Sequence, residues 1–222
     1  MKIGIAQINS TVGDLTGNFD ILRCAYDKLS SDGADLVIFP ELALSGYPPR
    51  DLLLKKRFGE DCAEKLNQFA KLTDACPALL GFPEKIDLKQ GRSYYNSAAL
   101  CFEGEVKQVF RKRLLPTYDV FDEDRYFESG TSPLYFYLSG KKIAVSICED
   151  IWNSNGTRHS ENPVNEIAGE KLDLLINLSA SPWHIDKKTQ RSTILKEVVQ
   201  KINCPLVYVN SVGGNDELIF DG

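Results

Sequence analysis

The chain has 222 residues, 43% of them hydrophobic, enough to bury one core of ordinary domain size. Its formal charge of -5 comes from 26 basic against 31 acidic residues, with no basic cluster denser than Lys55-Lys56-Arg57 or Arg111-Lys112-Arg113, which argues against a nucleic-acid or anionic-membrane surface. No apolar run approaches the roughly 20 residues that span a bilayer, and Met1 to Ser10 lacks a signal-peptide pattern, so a cytoplasmic location is expected.

In chain order, short apolar and β-branched runs read as strands: Lys2 to Asn9, Asp35 to Phe39, Ala78 to Phe82, Ser97 to Phe102, Val106 to Phe110, Leu134 to Leu138, Lys142 to Ile147, Leu172 to Leu178, Leu206 to Val209 and Glu217 to Phe220. Three longer segments carry helical spacing. In Asn18 to Ser31, Leu22, Ala25, Tyr26 and Leu29 share a face, and Arg57 to Leu72 and Lys187 to Ile202 have the same pattern. Turns at Glu103-Gly104-Glu105 and Ser139-Gly140 join strands as hairpins. Alternating strands and helices at both ends, with hairpins between, predict a layered α/β domain with mixed sheets and no internal boundary. The last run enters a turn at Asp221-Gly222, where the chain stops, which suggests a piece of a longer polypeptide.

Six cysteines are spread over the chain without a Cys-x-x-Cys pair, and only His159 and His184 accompany them, so zinc and disulfide frameworks are not expected. Most of the thiols fit small core positions. His159 lies in a polar loop and reads as solvated; His184 reads as peripheral.

Three segments share one layout, an apolar strand running into a polar or charged residue just past its end, where α/β sheets meet their ligands. They are Leu36-Val37-Ile38-Phe39-Pro40-Glu41, Val109-Phe110-Arg111-Lys112-Arg113-Leu114-Leu115-Pro116, and Val145-Ser146-Ile147-Cys148-Glu149-Asp150. Taken singly, each has a plain reading: a solvated glutamate, a basic triplet blunting an edge strand, a buried structural cysteine. A turn beginning at Glu149 would aim backbone N–H groups at the sulfur, lowering its pKa and offering an oxyanion site.

Together, Phe39-Pro40-Glu41, Phe110-Arg111-Lys112 followed by Leu-Pro, and Cys148-Glu149-Asp150 resemble the nitrilase superfamily of carbon–nitrogen hydrolases. That resemblance implies a four-layer αββα sandwich of two mixed sheets and a Glu41–Lys112–Cys148 triad. More narrowly, Leu44-Ser45-Gly46-Tyr47-Pro48-Pro49-Arg50-Asp51, Leu115-Pro116-Thr117-Tyr118, Cys148-Glu149-Asp150-Ile151-Trp152 and Asn177-Leu178-Ser179-Ala180-Ser181-Pro182 resemble the glutaminase domains of glutamine-dependent NAD synthetases. The resemblance implies that residues 1–222 form one amidase domain lacking its last strands and a following synthetase domain. It adds Glu123 as a support for the lysine, and Tyr47, Tyr118, Phe121, Glu149, Ser181 and Lys187 as substrate contacts. Tyr47 and Phe121 would wall the amide arm, and Ser181 and Lys187 would meet the α-amino and α-carboxylate ends. Glutamine is the implied substrate, no cofactor is implied for this domain, and ATP, magnesium and deamido-NAD belong to the synthetase domain. A homo-oligomer is implied, and no metal. The competing readings are an amidase or nitrilase acting on another small amide, and a non-catalytic interaction module.

Overall fold

In this computed structural model the described residues are 1–86, 91–132, 134–152 and 159–222. β1 (Ile3–Ile5), β2 (Leu36–Ile38) and β3 (Ala78–Lys85) pair in parallel. β4 (Tyr94–Phe102) and β5 (Glu105–Arg111) continue the sheet antiparallel, and β6 (Phe127–Glu128) pairs with the start of β4. The second sheet runs in the order β10 (Leu206–Asn210), β9 (Leu174–Ser179), β8 (Lys141–Ile147) and β7 (Leu134–Leu138), with β7 antiparallel and the others parallel. β11 (Val212–Asn215) and β12 (Leu218–Asp221) form a separate ribbon.

The layers follow from strand alternation. On β2, Leu36 and Ile38 face the second sheet, where they meet Ile143, Ile147, Ile176 and Leu178, while Val37 and Phe39 face outward. The outward face is covered by α1 (Leu15–Ser31) and α2 (Phe58–Ala70) through Leu22, Tyr26, Leu66 and Phe69. α3 (Pro163–Ile167) and α4 (Lys187–Ile202) cover the second sheet through Val164, Ile167, Val198 and Ile202. The result is the expected four-layer αββα sandwich.

Both predicted hairpins are present. Glu103-Gly104 and Ser139-Gly140 each place two successive residues at positive φ, which matches the right-handed strand twist. β6, β11 and α3 were not predicted: a two-residue strand, a Gly-Gly ribbon and a single-turn helix are too short for periodicity to register. The first predicted strand is also shorter than Lys2 to Asn9, because the pairing with β2 spans Ile3–Ile5.

This topology brings the carboxyl ends of β2, β5, β8 and β9, together with the beginning of antiparallel β4, to one end of the sandwich. Gly81 lets β3 close up on the bend after β2: a Cβ there would lie 2.3 Å from the Pro40 carbonyl oxygen and 2.5 Å from the Leu42 nitrogen.

Candidate active site

Glu41 leaves the end of β2 in a bend in which Leu42 takes φ 47°, and its carboxylate is buried at 1% exposure. Oε1 accepts from Lys112 Nζ at 2.7 Å and from Asn96 Nδ2 at 2.7 Å, and Oε2 accepts from the Ala180 backbone N–H at 2.8 Å. Lys112, the residue after β5, is fully buried; its ammonium also donates to both oxygens of Glu123 at 2.8 Å. Burial alone would lower the lysine pKa, but the Glu123 and Glu41 carboxylates outweigh it and hold it well above the ordinary value. Glu123 accepts a further bond from the Tyr47 hydroxyl at 2.8 Å. Burial pushes its carboxyl up to about 7 even against the pull of Lys112.

The basic triplet splits by position. Arg111 is exposed and pairs with both oxygens of Glu84 at 2.6 and 2.8 Å, and Arg113 ties to Glu161 at 2.9 Å and Glu166 at 2.7 Å, while Lys112 between them turns inward. β5 is an edge strand, yet the middle lysine serves the interior rather than the edge.

Cys148 follows β8 and opens a one-turn 3-10 segment, Cys148–Ile151. It takes φ 41°, a region a non-glycine residue enters only where the surroundings hold it. The holding group is Asp150. One carboxylate oxygen accepts from the backbone N–H groups of Arg113 and Leu114, both at 2.9 Å, and the other from Ile147 at 2.9 Å. A single side chain thus ties the turn carrying Cys148 to the loop carrying Lys112. Burial raises the Asp150 carboxyl to about 6, opposed by those three N–H donors.

The thiol behaves differently from expectation. Burial first, then the Glu41 carboxylate, push the Cys148 pKa well above the usual thiol value, with Lys112 pulling the other way. Loss of water and the neighbouring anions outweigh the ammonium, so the sequence-based expectation of a lowered thiol pKa is reversed. Of the other cysteines, Cys62, Cys76, Cys101 and Cys204 are buried and Cys24 is exposed.

The predicted substrate contacts fall into separate groups. Tyr118 donates to both oxygens of Glu149 at 2.9 and 3.1 Å and packs edge-on against Phe121 at 5.5 Å. His159, expected to be solvated, instead lies with Nε2 3.2 Å from a Glu149 oxygen, its side chain only 20% exposed. Tyr47 stands behind Glu123, and the two share with Phe121, Tyr126 and Phe127 a cavity of about 200 Å³ that Cys148 does not line. Ser181 is buried after β9, its backbone N–H and carbonyl engaged by the Asn210 side chain at 2.7 and 3.1 Å. Lys187 is buried at the start of α4, its ammonium 3.9 Å from the centre of the Trp152 ring. His184 is exposed. Asn96, Asp150 and the Ala180 N–H were not singled out in the sequence. Asn96 carried a usable signal: it precedes Ala98 and Leu100 on one face of β4, a polar residue in register with the inter-sheet core.

A buried thiol, an ammonium and two carboxylates lie where two facing sheets end, with the thiol in the electrostatic field of Glu41, Lys112 and Glu123. The chain belongs to the carbon–nitrogen hydrolase family, whose profile matches residues 2–221. It is 43% identical to the glutamine-dependent NAD(+) synthetase of Synechocystis sp. over 99% of its length and 40% identical to that of Thermotoga maritima over its whole length. It spans 41% and 37% of those two proteins. Among solved structures, the glutamine-dependent NAD+ synthetase of Acinetobacter baumannii superimposes with a TM-score of 0.89 at 35% identity, over 99% of this chain and 40% of that one. An amidase from Nesterenkonia sp. shares the fold at a TM-score of 0.83 and 22% identity, over 100% of this chain and 80% of that one.

Proposed function

We propose that this chain hydrolyses the side-chain amide of glutamine to glutamate and ammonia through Glu41, Lys112 and Cys148, as the ammonia-supplying half of glutamine-dependent NAD synthesis from deamido-NAD. The observation that carries the reading is the buried Glu41–Lys112–Glu123 chain of hydrogen bonds at 2.7 and 2.8 Å, set in the same electrostatic environment as the Cys148 thiol.

An amide is a weak electrophile, so the sulfur must shed its proton as it attacks. Cys148 adds to the amide carbon while Glu41 takes the S–H proton and later hands it to the departing ammonia, leaving a thioester. Water activated by Glu41 then cleaves the thioester and frees glutamate. Lys112 and the Glu149 N–H stabilise the oxygen that turns negative in each addition; Lys112 does so by releasing one of its two contacts to Glu123. Tyr118 orients Glu149, a further substrate contact, and Ser181 and Lys187 meet the α-amino and α-carboxylate ends of the amino acid. ATP, magnesium and deamido-NAD belong to the second reaction, of the synthetase domain, and no residue of this chain is assigned to them.

The test is ammonia release from glutamine and from simple aliphatic amides, with Cys148→Ala alongside. Glutamine is expected to be the better substrate, and Cys148→Ala to fold normally and release none. Preference for aliphatic amides would favour a general amidase, and retained activity in the variant would reject the nucleophile. A glutamine-derived adduct found by mass spectrometry on Cys148 would place the covalent step directly.

A further inference from the structure

Asn96 is fully buried near the start of strand β4, and its side chain touches both acidic members of the site. Nδ2 donates to Glu41 Oε1 at 2.7 Å and lies 3.5 Å from Glu123 Oε2. The amide orientation is fixed by chemistry: reversed, its oxygen would face a carboxylate oxygen at 2.7 Å with no proton between them. In the observed orientation Oδ1 is buried and has no hydrogen-bond partner among the described residues.

A carboxylate oxygen offers two in-plane lone pairs. On Glu41 Oε1 one is taken by Lys112 and the second by Asn96, while among the described residues Oε2 accepts the Ala180 N–H alone. An amide N–H cannot yield its place by giving up its proton. We propose that Asn96 is a positioning residue that closes Glu41 Oε1 to protonation, so that the proton leaving Cys148 is received at Oε2 and the carboxylate plane is held for that transfer. The S–H bond breaks and an O–H bond forms on Oε2; Lys112 stays charged, and Asn96 keeps both its protons. The inference rests on the reading of Glu41 as the base. Without Asn96 the free lone pair on Oε1 offers a second landing site, among Lys112, Glu123 and the Tyr47 hydroxyl, on the side turned from Ala180.

The backbone permits a clean test, because the ladder bond from the Lys112 N–H runs to the Asn96 carbonyl at 2.8 Å, which substitution leaves in place. Asn96→Leu removes the donor at similar volume, and Asn96→Ser keeps a short donor. Expected for Asn96→Leu are a fall in kcat of about tenfold with KM nearly unchanged, and an acid limb of the pH–rate profile displaced to higher pH, since the carboxylate has lost a donor. Asn96→Ser is expected to recover part of both. A folded Asn96→Leu protein with kcat and pH profile within twofold of the wild type would overturn the proposal. Should the variants not fold, the side-chain amide protons of Asn96 in the unsubstituted protein decide. They are expected to shift when Glu41 is replaced by Gln, and an unmoved signal overturns the assignment. The pH dependence of Cys148 alkylation in the same set separates the two readings. If glutamine is not hydrolysed by the wild type, the proposed activity falls, while a displaced alkylation profile in Asn96→Leu still upholds the role of Asn96.

Discussion

Replacing Lys112 by Met leaves two buried carboxylates, Glu41 and Glu123, with no cation between them. In the native arrangement the ammonium lies 2.7 Å from Glu41 and 2.8 Å from Glu123, and all three groups are sealed from water. Removing one partner of a buried ion pair costs about 3–5 kcal/mol, chiefly because the remaining charge is uncompensated. The loss should depend on pH. Glu123 is raised from 4.5 to about 7, so the folded protein holds a proton that the unfolded chain has shed in that interval. Its contribution is complete below pH 4.5 and is lost as pH rises through 7; the gap is equivalent to about 3 kcal/mol. Without the ammonium Glu123 keeps its proton to still higher pH, so the Lys112→Met penalty is largest at pH 8 and smaller at pH 5. Adding Glu123→Gln removes the second charge, and the double variant should be more stable at pH 8 than the sum of the single losses predicts, by at least about 1 kcal/mol. Urea unfolding followed by tryptophan fluorescence at both pH values reads all four proteins. A Lys112→Met loss under about 1 kcal/mol at pH 8, or simple additivity in the double variant, would refute the reasoning.

Asp150→Asn weakens the acceptor shared by Arg113, Leu114 and Ile147, so stability should fall by about 1.5–3 kcal/mol. The turn at Cys148 also loses its tie to the Lys112 loop; the expected result is a reduced kcat, and an unchanged kcat in a measurably destabilised protein would count against this role. Tyr47→Phe removes the phenolic donor to Glu123. Its cost in unfolding free energy should be about 1–2 kcal/mol at pH 8 and less at pH 5, because the bond is stronger to the charged carboxylate than to the protonated one. Equal costs at the two pH values would contradict that origin.

Much of the molecule was legible from residues in order. Strand runs, the amphipathic face of α1 and the two Gly-containing hairpins are local features, governed by alternation, helical spacing and turn stereochemistry within a few residues of each other. Glu41, Lys112 and Cys148 were visible for the same reason: each breaks an apolar strand at its carboxyl end, and the superfamily resemblance linked them. What the chain could not disclose depends on long-range contact. Asn96 supports Glu41 from 55 residues away and the Ala180 N–H does so from 139. The sign of the Cys148 shift was decided by how much water the facing sheets exclude and which charge they leave beside the sulfur, quantities that exist only after packing. Asp150 reads in sequence as one acidic residue of a pair; in three dimensions its two oxygens hold the loop and the turn together. Local spacing thus determined the strands, the hairpins and the candidate residues at strand ends. Only the stacking of two sheets brought their ends together, because burial and hydrogen-bond geometry depend on distance in space rather than along the chain.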